Sequence, residues 1–315
     1  MSYTLKSDVR FLNIEVTNYC NFNCSYCCSK DLPKKHIELS VFESIISKFN
    51  NVEHISLQGE GEPLMHPDFF QIVEITKKYQ PNSKISIVSN GSFIGNYVKE
   101  LAQSAIDVLH ISIDTANPAL FREVRKGGDL NKIVHNIRLL KKKCDESLKI
   151  GIASVILKSN LKELDKLFEL YTDLGLNAGI RFQSLVELDF YEKKYDSKIS
   201  NERVNQNELY QCYLSLLNDK EKKNIINTSV KDFIQDLYSS GKGSKDCPWL
   251  KNALFINSFA EVTGCCGIKD FQNFGFGNIE TVDLEFILEK REKLLNNLKN
   301  KNIPICCKYC TFAMN

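Results

Sequence analysis

Short apolar runs alternate with amphipathic stretches over roughly the first 185 residues of the chain. Phe11 to Val16, His54 to Leu57, Ile85 to Val88, Val108 to Ile113, Lys149 to Ile156 and Gly179 to Phe182 are compact apolar runs that predict strands. Between them, Val41 to Phe49, Pro67 to Lys78, Tyr97 to Ser104, Pro118 to Arg125, Leu130 to Lys143 and Leu161 to Leu174 read as helices. Ser40 is the expected N-cap of the first helix, and Pro67 is expected in the first turn of the second, where its missing N–H costs nothing. Six strand–helix repeats imply a parallel sheet with right-handed crossovers. The fold class is α/β, either an open partial (β/α)6 barrel or a doubly wound sheet. Both place active-site residues at the carboxyl ends of the strands.

The rhythm breaks after about Val186. Residues 1–188 are expected to form the barrel. Residues 189–246 form a polar, Lys/Asn-rich connecting segment, helical in part (Val204 to Leu217) and ending in a Gly/Ser/Lys loop, Ser239 to Asp246. Residues 247–315 form a separate segment with a short strand, Ala253 to Ile256.

A net charge of +2 gives no sign of a nucleic-acid or membrane partner. Met1 to Arg10 is polar, and no apolar run approaches the roughly 18 residues of a membrane span, so a cytoplasmic location is the default expectation. Cysteine changes the picture. Twelve cysteines without an export signal favour metal or redox use over a disulfide framework. Cys20, Cys24, Cys27 and Cys28 lie near the start; Cys247, Cys265, Cys266, Cys306, Cys307 and Cys310 lie near the end; Cys144 and Cys212 stand alone. The five histidines show no metal-ligand spacing.

Cys20, Cys24 and Cys27 have the spacing C-x3-C-x2-C in the loop leaving the first strand. Three thiolates ligate three irons of a [4Fe–4S] cluster and leave the fourth open for a small chelator. A zinc site is the alternative, although zinc takes four ligands. Other strand ends carry matching chemistry. Gln58-Gly-Glu-Gly-Glu-Pro63 follows the second strand, Ser89-Asn90-Gly91 the third, and Ser112 and Asp114 end the fourth. Close backbone approach at glycine, with a carboxylate to accept from an ammonium group, outlines a ligand groove.

With these motifs the chain resembles the radical S-adenosylmethionine (SAM) superfamily over roughly residues 10 to 185. The resemblance implies a partial (β/α)6 barrel and a [4Fe–4S] cluster on Cys20, Cys24 and Cys27. It implies SAM bound by Gly59, Gly61 and Glu62 at its amino group, by Ser89 and Asn90 at its ribose, and by Ser112 and Arg125 at its ribose or carboxylate. One electron, from a flavodoxin or ferredoxin, would break the sulfonium bond, and the resulting 5′-deoxyadenosyl radical would take a hydrogen atom from a substrate.

The second cysteine set could hold a cluster or a structural zinc on spacing alone. It resembles a SPASM or shortened twitch domain, which implies one auxiliary [4Fe–4S] cluster on Cys247, Cys265, Cys307 and Cys310, with Cys266 and Cys306 as alternates. Its layout is similar to that of aminocyclitol and sugar dehydrogenases. That implies oxidation or epimerisation of a carbinol in a small-molecule substrate, with Arg181 positioning the hydroxyl and Cys266, Cys306 or Cys212 as possible hydrogen donors. Peptide or protein maturation is the second reading, and an iron–sulfur scaffold without activity is the third.

Overall fold

A computed structural model of the chain describes residues 9–27, 33–185, 199–226, 247–307 and 310. Cys28 and the Ser239–Asp246 loop lie outside the described residues. The elements, in chain order, are β1 (Phe11–Ile14), α1 (Leu39–Ser47), β2 (His54–Ser56), α2 (Phe69–Tyr79), β3 (Lys84–Ser89), α3 (Val98–Gln103), β4 (Val108–Ser112), α4 (Pro118–Val124), α5 (Leu130–Lys141), β5 (Lys149–Ile156), α6 (Leu164–Asp173) and β6 (Ile180–Ser184). There follow α7 (Gln206–Asn218), α8 (Lys220–Ile225), α9 (Pro248–Asn252), β7 (Ala253–Ile256), β8 (Glu261–Thr263), α10 (Phe271–Phe274), β9 (Gly277–Asn278) and α11 (Leu284–Lys299). Among the described residues no helix is long and apolar enough to cross a membrane.

Two compact units emerge. The first comprises Met1–Tyr19, Lys34–Ser86 and Asp236–Asn315, the second Cys20–Pro33 and Ile87–Gln235. In the first, β1 lies between β2 and β7, parallel to both, and β2 pairs in parallel with the start of β3. The hairpin-like β7–β8–β9 ladder is antiparallel. The late strand β7 therefore completes the sheet begun by β1, with Phe11 opposite Ala253 and Ile14 opposite Ile256. In the second unit β4, β5 and β6 pair in parallel.

Strand periodicity explains the burial. Leu12, Ile14, Ile55 and Ile85 alternate onto one face and are fully buried, as are Phe42, Ile45 and Ile46 of α1 and Ile72 of α2. Each contributes roughly 1.5–3 kcal/mol of hydrophobic stabilisation. The intervening positions are polar. Asn13, Ser56 and Ser86 stand in register across β1, β2 and β3, all buried. Asn13 Oδ1 has no hydrogen-bond partner among the described residues.

Two expected helix starts need correction. Helix α1 begins at Leu39, capped by the backbone of Glu38, so Ser40 lies inside it. The Phe42 N–H already bonds to the Glu38 carbonyl at 2.9 Å, which fixes the start two residues earlier than the side-chain pattern suggests. Pro67 precedes α2 and sits in a turn, because Asp68 is the N-cap. His66 shapes that turn: its Nδ1 accepts from the Asp68 N–H at 3.0 Å and its Nε2 contacts the Ile37 carbonyl oxygen at 2.8 Å. In α7 a full capping box between Asn205 and Glu208 sets the start.

Candidate functional site

In the second unit, the loop carrying Cys20, Cys24 and Cys27 is pinned to the end of α4 through Asn23 N–H to Lys126 O (2.7 Å) and Ser25 N–H to Val124 O (2.9 Å). No disulfide joins the described cysteines. Cys24 is buried, and Cys20 and Cys27 are half-buried. The three thiols share one electrostatic neighbourhood. Burial pushes the Cys24 thiol up to about 12; Arg125 opposes this, while Cys27, Asp114 and Cys20 add to it.

Behind the loop stands a buried polar knot. The Asp114 carboxylate accepts from the Tyr26 hydroxyl at 2.8 Å, from Arg125 Nε at 2.8 Å and Nη2 at 3.0 Å, and from the Val155 N–H at 2.8 Å. Asp114 is 1% exposed and Arg125 7% exposed. The guanidinium also lies 5.6 Å from the centre of the Tyr26 ring. Sequence reasoning placed Arg125 against SAM and missed that two of its donors are engaged by Asp114; Tyr26 was not singled out.

At the end of β3, Asn90 Nδ2 donates to Asn21 Oδ1 at 2.8 Å and lies 3.9 Å from Cys20 Sγ. Ser89 Oγ accepts from the Gly91 N–H at 3.0 Å. Ser112 closes β4, half-buried, in register with Ala153 of β5, which is in register with Arg181 of β6. Paired positions in a parallel ladder share a face, so Arg181 stands on the face of Ser112 with only the small Ala153 between.

In the first unit, Gly61 is where the chain crosses the stretch after β1. A Cβ there would lie 2.4 Å from the Thr17 carbonyl oxygen and 2.6 Å from that of Tyr19. Only glycine permits that approach, and the Glu62 N–H then bonds to the Tyr19 carbonyl at 2.8 Å. Glu62 is 1% exposed, and one carboxylate oxygen caps Leu64 N–H at 3.2 Å. The neighbouring Gly59 and Glu60 pack on Glu15, a buried carboxylate that sequence reasoning missed. The available signal was a lone charge closing an apolar strand.

The first unit also gathers the late cysteines. Cys247 is the N-cap residue of α9, Cys265 and Cys266 follow β8, and Cys306 and Cys307 lie in a short 3-10 turn before Cys310. Burial raises the Cys265 thiol well above its ordinary range, and the charges of Cys266, Cys247 and Cys310 raise it further. Cys307 is raised by a 3.9 Å sulfur–sulfur contact with Cys306, then by burial, then by the charges of Cys306, Cys265 and Cys310. Cys247 is raised by burial and by Cys310. Cys265 therefore lies within electrostatic reach of Cys247, Cys307 and Cys310, although up to 63 residues separate the four in sequence.

Sulfur-only donor sets suit an iron–sulfur cluster, because thiolates become stable together once iron supplies the counter-charge. Among the described residues no three His, Cys, Asp or Glu side chains are arranged to hold a single metal ion. The raised thiols give a pH prediction for the metal-free chain. Folded Cys24 holds its proton above the ordinary thiol value of 9.0. Its folded and unfolded forms are both protonated below that value, so the cost of ionisation appears only above it. The thermal midpoint in chelator is expected to fall as pH rises from 9 towards about 12, and to fall less in Cys24→Ala. Equal slopes in the two proteins would contradict the assignment.

A family model described as the radical SAM superfamily matches residues 14–171. A probable GTP 3′,8-cyclase of Methanocaldococcus jannaschii is 30% identical over 175 residues, which is 53% of this chain and 57% of that protein. The GTP 3′,8-cyclase of Alkaliphilus oremlandii is 26% identical over 214 residues, 62% of each chain. The chain therefore spans about three fifths of the length of the curated relatives it matches. Among solved structures, anSMEcpe with bound AdoMet superposes with a TM-score of 0.72 at 19% identity, covering 96% of this chain and 86% of that one. Streptococcus suis SuiB bound to S-adenosylmethionine gives 0.71 at 17% identity, covering 93% and 68%. BtrN in complex with AdoMet and 2-DOIA gives a looser 0.51 at 16% identity, covering 96% and 93%. These likenesses establish the fold class, an α/β fold on a parallel sheet matching the partial barrels of radical SAM structures.

Proposed function

This chain belongs to the radical SAM superfamily, whose members bind a [4Fe–4S] cluster and SAM, and from that premise we propose that it abstracts hydrogen from a small, hydroxyl-bearing molecule and oxidises or epimerises that carbinol. The observation that carries this reading is the gathering of Cys247, Cys265, Cys307 and Cys310 in the first unit, with Cys265 in electrostatic reach of the other three, a four-sulfur set suited to one auxiliary [4Fe–4S] cluster as electron acceptor.

In this reading Cys20, Cys24 and Cys27 hold the SAM-binding cluster. Bound together, cluster and SAM supply the 5′-deoxyadenosyl radical. The chain's own residues orient and shield. Gly61 and Glu62 take the amino group of SAM; Ser89, Asn90 and Ser112 serve the ribose; the Arg125 donors not engaged by Asp114 serve the carboxylate. Arg181 orients the substrate hydroxyl by donation, since a guanidinium does not give up its proton. The electron donor in this account is a flavodoxin or ferredoxin.

The second reading is peptide modification. SuiB has been solved bound to precursor peptide SuiA, and anSMEcpe with the Kp18Cys peptide. The curated relatives add a third substrate class to test, since their name is GTP 3′,8-cyclase. Reconstituted protein, SAM and a chemical reductant are expected to form 5′-deoxyadenosine. With aminocyclitols and sugars deuterated at the carbinol carbon, deuterium is expected in that product. Transfer from GTP or from a peptide alone would replace the carbinol reading, and no 5′-deoxyadenosine under any condition would leave the scaffold reading.

A further inference from the structure

Within the first unit, three ionisable side chains tie the Gly59–Glu62 loop to the turn that follows Cys265 and Cys266. Glu15, 3% exposed, accepts from the Glu60 N–H at 2.7 Å through Oε2. Its Oε1 accepts from Ser258 Oγ at 3.0 Å and from the Ser258 N–H at 3.3 Å. A Cβ on Gly59 would stand 2.3 Å from Glu15 Cγ, so the loop lies directly on this carboxylate. The Glu60 side chain pairs with Lys269 Nζ at 2.5 Å, with side chains 18% and 8% exposed. The ammonium also sits 4.7 Å from the centre of the Phe255 ring. Lys269 lies three residues beyond Cys266, and the charges of Glu60, Cys266 and Glu15 all act on it.

One cation therefore pairs with Glu60 of the loop and stands near both Glu15 beneath it and the cysteine turn. A buried charge of this kind holds its partners in place because freeing either partner leaves an uncompensated charge away from water. We propose that Lys269 is a positioning residue: through Glu60 it fixes the Gly59–Glu62 loop against the Cys265–Cys266 turn, so that SAM affinity depends on a residue of the auxiliary-cluster segment. This rests on the reading of Gly61 and Glu62 as SAM contacts and of Cys265 as an auxiliary ligand.

Neither Lys269 nor Glu60 is assigned to iron or to SAM, so their removal separates positioning from ligation. Lys269→Met keeps the length of the side chain and removes its charge. The reconstituted variant is expected to bind SAM roughly tenfold to a hundredfold more weakly by equilibrium dialysis, less than the full cost of truncating one partner of a buried charge pair because the effect reaches SAM only through the loop. Its iron content and auxiliary-cluster EPR spectrum are expected to remain wild-type. Lys269→Arg and the double variant Glu60→Gln/Lys269→Met are expected to recover most of the affinity, the first by keeping the charge, the second by removing both members of the pair. Wild-type affinity in Lys269→Met overturns the proposal. So does equal loss in all three variants together with lost iron or a collapsed thermal midpoint, which would mark a merely structural role. Failure of the wild-type protein to bind SAM would instead sink the underlying reading, and the proposal with it.

Discussion

Asp114→Asn is expected to cost about 3–5 kcal/mol of folding stability, the penalty for leaving a buried charge without its partner. The carboxylate accepts four hydrogen bonds at once, two from Arg125, one from Tyr26 and one from the Val155 N–H. An amide in its place offers one acceptor oxygen and turns two N–H donors towards groups that also donate. The Arg125 guanidinium, 7% exposed, then has no counter-ion in the knot. Domains are typically stable by only about 5–15 kcal/mol, so the loss is a large share of the total. The denaturation midpoint should drop at unchanged slope. A double variant, Asp114→Asn/Arg125→Met, should lose less than the single one, because the stranded charge is gone. An unchanged midpoint in Asp114→Asn would show that the pair is dispensable for folding.

The second large effect separates the cysteine doublet. Cys265 lies within electrostatic reach of Cys247, Cys310 and Cys307. Cys265→Ala is expected to lose the auxiliary cluster, about four irons of an expected eight. Cys266→Ala is expected to keep it. The reverse pattern would move the ligand to Cys266 and shift the register of the whole set. If neither substitution changes the iron count, the segment does not ligate through this turn.

Much of the fold was readable because strands such as Lys149–Ile156 and Ala253–Ile256 are apolar runs with sharp polar edges. Strands β8 and β9, of three and two residues, are too short to show a period, and nothing local announces that β7 pairs with β1 some 240 residues earlier. Helix starts failed where the backbone of Glu38, not a side chain, does the capping, and where Pro67 serves the turn before α2. The cysteine loop stood out because Cys20, Cys24 and Cys27 are close in sequence. The Tyr26–Asp114–Arg125 knot was not, since Tyr26 and Asp114 are 88 positions apart. Lys269 and Glu15 were also invisible, because a single charge has meaning only through the partners that folding brings to it.

The most direct test of the account is iron and sulfide content after anaerobic reconstitution, on wild type and on a variant with Cys20, Cys24 and Cys27 all changed to Ala. Two [4Fe–4S] clusters predict about eight irons in wild type and about four in the variant, with 5′-deoxyadenosine formation abolished. A variant that keeps its full iron, or a wild type that holds zinc in place of iron, would contradict it.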